Sequence, residues 1–364
     1  MGKSNSTIEL KQVSKKFKNS DVINRMNLKV HAGEFLVLLG PSGCGKSTTL
    51  RMIAGLEDVT EGSVLIDGHD LQTMKNDGKA IAMVFQDYAL YPNMTVYQNL
   101  EYALKVHKVD KQVRKQRIDQ VMDTLNLADY ADRLPSQLSG GQKQRVAVGR
   151  GMVKKSKIFL LDEPLSNIDV QLREKARDEL QKLHEIDQQT IVYVTHDQLE
   201  AMALGDRIAV MNEGIIQMID TPDNIYNQPA NLFVARFIGT PQINIIEVVL
   251  QNGEMYLNDH PLLKVMGHGE LAQQKYYLGI RPENIKCSMT PKGDYSLPAK
   301  IDSIVDYGRF IQLSLKLANG CLIKSIVNSC DFTEDDQIYI DFVESDTVLF
   351  DHSTEKNLYW GKHE

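Results

Sequence analysis

Gly40-Pro41-Ser42-Gly43-Cys44-Gly45-Lys46-Ser47-Thr48 is the stretch on which the reading of this chain turns. It follows the apolar run Phe35–Leu39 and precedes a segment able to form a helix from Lys46. Strand, glycine loop and helix in that order is the setting in which G-x-x-x-x-G-K-[ST] is a phosphate-binding loop. Glycines let the backbone turn its N–H groups toward an anion, where a side chain would block the approach. The helix N-terminus contributes roughly half a positive charge. Lys46 adds a mobile full charge for the outer phosphates, and the Ser47 hydroxyl suits Mg2+. Glycine turns before helices are common, but a turn alone does not call for Lys-Ser in this register. The stretch predicts binding of a nucleoside triphosphate.

Upstream, Ile8–Val13 and Asn24–Val30 alternate apolar and polar residues, as half-buried strands do. Phe17 lies between them in a polar setting, equally suited to a hairpin core and to stacking on an adenine ring. Downstream, Glu61–Gly68 reads as a short strand closed by a turn. Ala80–Phe85 is a short apolar strand ending in Gln86, which could reach Mg2+ or an attacking water, or simply end the strand. From Tyr88 to Gly151 the pattern is helical, with Val113, Ile118, Val121, Met122 and Leu125 on one face. That section predicts a helical insertion in an otherwise α/β core.

Leu138-Ser139-Gly140-Gly141-Gln142 opens a further helix. Serine is a good N-cap, and Ser-Gly-Gly bares backbone donors at a positive helix end. One chain thus carries two anion sites, which a single triphosphate could use together if the second came from another copy. Lys157–Leu161 is an apolar strand ending in Asp162-Glu163. Carboxylates so placed are costly without partners, which argues for a cation and a reaction. Asp162 suits Mg2+, and Glu163 suits a base orienting water. Ser166-Asn167-Ile168-Asp169 carries a helix-capping signature, and the strand Thr190–Thr195 ends in His196-Asp197, where the histidine could hydrogen-bond a γ-phosphate.

The 364 residues allow two domains, and 42% hydrophobic with 24% charged residues is ordinary globular composition. A net charge of −7 disfavours a phosphate-backbone binder. No apolar run is long enough to span a membrane, and Met1–Thr7 has no hydrophobic signal core. Cys44, Cys287, Cys321 and Cys330 show neither metal-ligand spacing nor disulfide density, which fits a reducing cytoplasm.

Taken together, the phosphate loop, Gln86, Leu138–Gln142, Asp162-Glu163, Ser166–Asp169 and His196 resemble the ATP-binding subunits of ABC transporters over roughly residues 8–238. The wording of Gln86–Asn93 and Asp162–Asn167 is similar to carbohydrate importers of the maltose and multiple-sugar type. Leu278-Gly279-Ile280-Arg281-Pro282-Glu283-Asn284 and Leu349-Phe350-Asp351 resemble that group's C-terminal OB-type regulatory domain. Polyamine, iron and sulfate importers share the architecture. The resemblance implies an α/β, RecA-like P-loop core (1–238) with a helical subdomain at about 88–151, then an OB-type β-barrel (239–364).

It also implies roles. Phe17 stacks on adenine, and Ser42, Gly43, Cys44, Gly45, Lys46, Ser47 and Thr48 hold the phosphates of ATP. Ser47, Gln86 and Asp162 serve Mg2+. Ser139, Gly140, Gly141 and Gln142 contact ATP on the opposite subunit, and Asp169 belongs to the nucleotide site. Glu163 positions water, and His196 senses the γ-phosphate. Partners would be a second copy, as a homodimer, and permease subunits with an extracellular solute-binding protein. The chain would sit at the cytoplasmic face, without nucleic acid and without inserting into the membrane. Gln86–Tyr97 would help form the groove that receives a permease helix. Ile168 and Gly151 depart from the usual leucine and alanine, the glycine at a cost of about 1 kcal/mol of helix stability.

Residues 240–364 hold short apolar runs spaced by turns, which suggests a small β-barrel. Such barrels often bind nucleic acid, but Glu334-Asp335-Asp336 and Glu344–Asp346 oppose it. The other class of function is a soluble ABC mechanoenzyme of DNA repair or translation. One cassette and no heptad run speak against it.

Overall fold

The computed structural model describes residues 6–18, 20–74, 81–85, 88–154, 156–166, 170–264, 272 and 274–359, side chains of 170–172, 183, 186 and 187 excepted. Gln86 and Asp169 lie outside the described residues. The chain divides into two compact units, Met1–Pro222 and Asp223–Glu364.

The first unit begins with β1 (Ile8–Phe17), β2 (Ser20–Val30), β3 (Phe35–Leu39), α1 (Lys46–Ile53), β4 (Glu61–Ile66), β5 (His69–Asp70) and β6 (Ile81–Val84). A helical section follows: α2 (Val96–Val106), α3 (Lys111–Thr124) and α4 (Gly140–Lys154). The chain then returns through β7 (Ile158–Asp162), α5 (Val170–Asp187), β8 (Thr190–Thr195), α6 (Gln198–Leu204), β9 (Arg207–Asn212) and β10 (Ile215–Asp220).

Six strands form one sheet in the order β10-β9-β3-β8-β7-β6, parallel except for β10. All residues of β3, β7 and β8 are buried. Parallel strands covered on both faces need such unbroken apolar runs. A second, antiparallel sheet, β2-β1-β4-β5, is built from the alternating segments. Ile8, Val13 and Ile23 from it share one apolar cluster with Leu36, Leu38, Leu160 and Val192 of the parallel sheet and with Leu50 and Ile53 of α1. This packing anchors α1, and hence the glycine loop before it.

The helical section opens with α2. Thr95 caps α2 in a reciprocal box with Gln98, which sets the helix start at Val96. Asp110 caps α3 by accepting from Gln112 and Val113 N–H. In α4, a Cβ on Gly151 would lie 2.2 Å from the ring of Phe159 in β7. The glycine therefore loses helix propensity but seats a buried aromatic. Among the described residues, no helix is long and apolar enough to cross a membrane.

The second unit continues the chain with α7 (Pro222–Asn227) and α8 (Leu232–Phe237), then, among the described residues, ten strands. These are β11 (Asn244–Gln251), β12 (Glu254–Leu257), β13 (His260–Lys264), β14 (Lys275–Ile280), β15 (Lys286–Ser288), β16 (Leu297–Asp306), β17 (Ile311–Leu317), β18 (Leu322–Val327), β19 (Gln337–Asp341) and β20 (Thr347–Asp351). They pair antiparallel in two five-stranded sheets, β13-β12-β11-β14-β20 and β15-β19-β16-β17-β18. Both line one core, with Ile246, Val248, Leu278, Leu313, Leu315 and Ile340 within it, which is the OB-type barrel architecture. Pro261 sits in β13, an edge strand, where its missing N–H does no harm.

Residues 223–238, read from the sequence as the end of the first domain, belong to this second unit. Two contacts account for it. Leu232 and Ala235 share a cluster with Ile243 and Phe350. Arg281, 4% exposed, donates to the carbonyls of Ile238 (2.5 Å) and Tyr226 (2.6 Å) and lies 4.0 Å from the Tyr226 ring. Burial, then the Glu283 carboxylate, pushes the Tyr226 phenol up to about 12. Arg281→Ala leaves buried carbonyls unpaired and will cost about 2–4 kcal/mol of this unit's stability. Denaturant unfolding of the full chain checks it; a loss below about 0.5 kcal/mol, the size of an ordinary surface change, would remove the clasp.

Candidate functional site

The glycine loop lies between β3 and α1, and close neighbours together with one positive φ dictate two of its glycines. A Cβ on Gly40 would meet the Met211 carbonyl oxygen at 2.3 Å. Gly45 caps α1 with φ +102 and no side-chain hydrogen bond, and a Cβ there would lie 2.5 Å from Ile23 Cδ1. An uncapped helix start keeps its N–H groups for an anion. Ser42 and Gly43 are exposed on the crest, while Cys44, Gly45 and Lys46 are buried and Ser47 and Thr48 half-buried. Lys46 Nζ donates to the carbonyls of Gly40 and Pro41, both at 2.8 Å, so the ammonium is held inside its own loop. Burial pushes the Cys44 thiol up, despite Lys46 nearby, which makes it an inert wall of the loop.

β7 delivers Asp162 to the same place. Ser47 Oγ donates to Asp162 Oδ1 at 2.7 Å, joining residues far apart in the chain. Asp162 is 1% exposed, and burial raises its carboxyl pKa against the lowering effects of Ser47 and Arg51. One carboxylate and one hydroxyl are the sparse hard-oxygen set that Mg2+ takes when phosphates and waters complete its shell. An acid raised in this way binds its proton more tightly folded than unfolded. At neutral pH its charge therefore works against the fold, and the penalty fades as pH falls through the folded pKa toward the unfolded one. Asp162→Asn will accordingly raise the melting temperature of the nucleotide-free, metal-free chain at about pH 7, and the gain will shrink on acidification. Equal melting temperatures at neutral pH would show that the carboxylate is not destabilising.

Glu163 follows with φ +46, a left-handed conformation rare for a non-glycine residue. Its N–H donates to the Val194 carbonyl of β8, and its own carbonyl accepts from Ser166 Oγ. The carboxylate Oε2 lies 3.4 Å from His196 Nδ1, with the histidine largely exposed. Glu163 and His196 are thus brought together at the ends of adjacent parallel strands.

A network absent from the sequence reading holds that histidine turn. Tyr193 and Thr195 hydroxyls both donate to Glu200 Oε2, at 2.8 and 2.7 Å. Asp197 caps α6 and pairs with Arg173 of α5 at 3.3 Å. Only the Asp197 cap carries a local sequence signal; the other partners come from tertiary packing.

Phe17 is 43% exposed at the end of β1, with Lys15 Nζ 4.7 Å from its ring. Ser139 and Gln142 form a reciprocal capping box at the start of α4: Ser139 N–H donates to Gln142 Oε1 (2.8 Å) and Gln142 N–H to Ser139 Oγ (3.3 Å). Ser139 and Gly140 are exposed and Gly141 is buried.

A glycine loop on one parallel strand and a buried acid on the next but one make this unit a P-loop nucleotide-binding cassette. The chain matches the sequence family described as ABC transporter over residues 23–166 and a TOBE domain over 278–350. It is 47% identical, over 77% of its length and 78% of the relative's, to the osmoprotective compounds uptake ATP-binding protein GgtA of Synechocystis sp.. It is 40% identical, over 97% of its length and 99% of the relative's, to the trehalose/maltose import ATP-binding protein MalK of Thermococcus litoralis. Among solved structures it resembles the dimeric ATP-binding cassette MJ0796 in a post-hydrolysis state with ADP and Pi, with TM-score 0.55 and 34% identity over 59% of this chain and 98% of that one. The chain belongs to the ATP-binding proteins of the ABC transporter family. It binds ATP and is an ABC-type ATPase.

Proposed function

We propose that this chain is the ATPase subunit of an importer for a carbohydrate, working as one of two copies on the cytoplasmic side of permease subunits, with an extracellular solute-binding protein delivering the solute. The observation that carries the solute class is the 40% identity to the trehalose/maltose import protein, which runs through both units. A second reading, uptake of an osmoprotective compound, draws on the higher identity to GgtA over a shorter span.

In this reading Phe17 stacks on adenine, and Ser42–Thr48 hold the phosphates, with Lys46 leaving its carbonyl partners for the γ-phosphate. Ser47, Asp162 and Gln86 hold Mg2+, which when bound supplies positive charge against the phosphate oxygens. Glu163 orients the attacking water, and His196, beside it, donates to the γ-phosphate. Ser139, Gly140, Gly141 and Gln142 of a second copy close over the same nucleotide, and Asp169 lines it. The cassette would be the motor and the barrel after residue 239 the regulatory part, with residues 223–238 packed into the barrel's own unit.

Deletion of this chain in its own cells, followed by uptake of labelled maltose, trehalose and glycine betaine, tests the assignment. The reading expects sugar uptake to fall at least about ten-fold, and to be restored by the native chain but not by Glu163→Gln. Loss of betaine uptake alone would favour the second reading, and unchanged sugar uptake would sink the first.

A further inference from the structure

Tyr88 and Ala89 are consecutive non-glycine residues with φ +63 and φ +42. Each such residue costs on the order of 1–3 kcal/mol and persists only where its surroundings hold it. Here the holder is Arg150 of α4. Its Nη1 donates to the Ala89 carbonyl at 2.7 Å and its Nη2 to the Tyr88 carbonyl at 3.3 Å, and the guanidinium lies 5.3 Å from the Tyr91 ring. From the other side, Asn99 of α2, 1% exposed, accepts from Tyr91 N–H at 2.9 Å and donates to its carbonyl at 3.2 Å. One turn beyond Arg150 on the same helix face, Lys154 Nζ donates to the Ile81 carbonyl at the start of β6 at 2.6 Å.

Thus α4 grips both ends of the β6 segment through backbone carbonyls. A half-buried guanidinium that faces two carbonyls and a ring is costly to loosen, because a fork fitted to two oxygens cannot lose one without stranding donors. Arg150 stands about 16 Å along the helix from Ser139, at 1.5 Å per residue. A helix transmits displacement over that length as a rigid element.

We infer that Arg150 is a positioning residue that locks the strained segment 88–91 to α4, so that a displacement of that segment moves Ser139 relative to the nucleotide of a second copy. The inference rests on the two-copy reading given above. Sequence pattern alone does not distinguish Arg150 from the other basic residues of its helix; the separation of 61 residues from Ala89 hides the contact.

Hydrogen–deuterium exchange of the full chain with ATP, in a Glu163→Gln background that retains the nucleotide, tests it. In that background alone, ATP should slow exchange of amides 140–143 about ten-fold as a second copy covers them. Adding Arg150→Lys, which keeps the charge and loses the fork, should reduce the slowing to below about two-fold while ATP affinity stays within about three-fold. Slowing that survives Arg150→Lys, with only 88–91 loosened or the melting temperature lowered, would make the arginine merely structural and overturn the inference. Absence of slowing in Glu163→Gln alone would overturn the two-copy reading and this inference with it. Should Arg150→Lys fail to fold, Arg150→Gln, which keeps one donor for the Ala89 carbonyl and removes the charge, gives the same readout.

Discussion

Glu163→Gln will leave ATP bound and the two copies closed, while hydrolysis slows on the order of 10² to 10⁴, the usual worth of a positioned base. The substitution is nearly isosteric. It spares the Glu163 N–H bond to Val194 and the carbonyl bond from Ser166, so the left-handed turn is kept. An amide oxygen still faces His196, at the position where the carboxylate lies 3.4 Å from Nδ1. What is lost is the negative charge that orients a water and takes its proton. Single-turnover hydrolysis, measured beside ATP binding, separates the two effects. Turnover equal to that of the native chain would strip Glu163 of this role.

Ser139→Arg will abolish hydrolysis by the paired copies, by at least about 100-fold, while the affinity of a single copy for ATP stays within about two-fold. Ser139 is exposed, and its hydroxyl accepts from the Gln142 N–H at the start of its own helix. Losing that cap costs about 1 kcal/mol, too little to unfold the unit. A long cation at this place, however, would fill the space that a second copy's γ-phosphate must enter. ATP-dependent dimerisation by sedimentation, alongside titration of the single copy, gives the readout. If the isolated chain itself loses ATP affinity, the loop serves its own nucleotide and the two-copy site is wrong.

Much of the parallel sheet was legible because its strands are unbroken apolar runs of the length that a doubly covered strand requires. The glycine loop was legible for a different reason: its chemistry demands glycines, a lysine and a hydroxyl at fixed local spacing. Phe17 was ambiguous from its neighbours, since exposure depends on where a strand ends in space, and the ring proves to be partly open. Individual barrel strands carry less pattern, β12, β13 and β15 being short or interrupted by proline.

By itself the sequence determined the class of nucleotide site, the order of the motifs and the presence of a barrel after the cassette, because each is written in residues close together along the chain. Tertiary structure alone decided that Asp162 meets Ser47, that Arg150 holds the strained turn at Tyr88 and Ala89, and that Arg281 draws residues 223–238 into the second unit. Those pairings join positions whose separation along the chain carries no pattern, and packing of the apolar faces is what selects each partner.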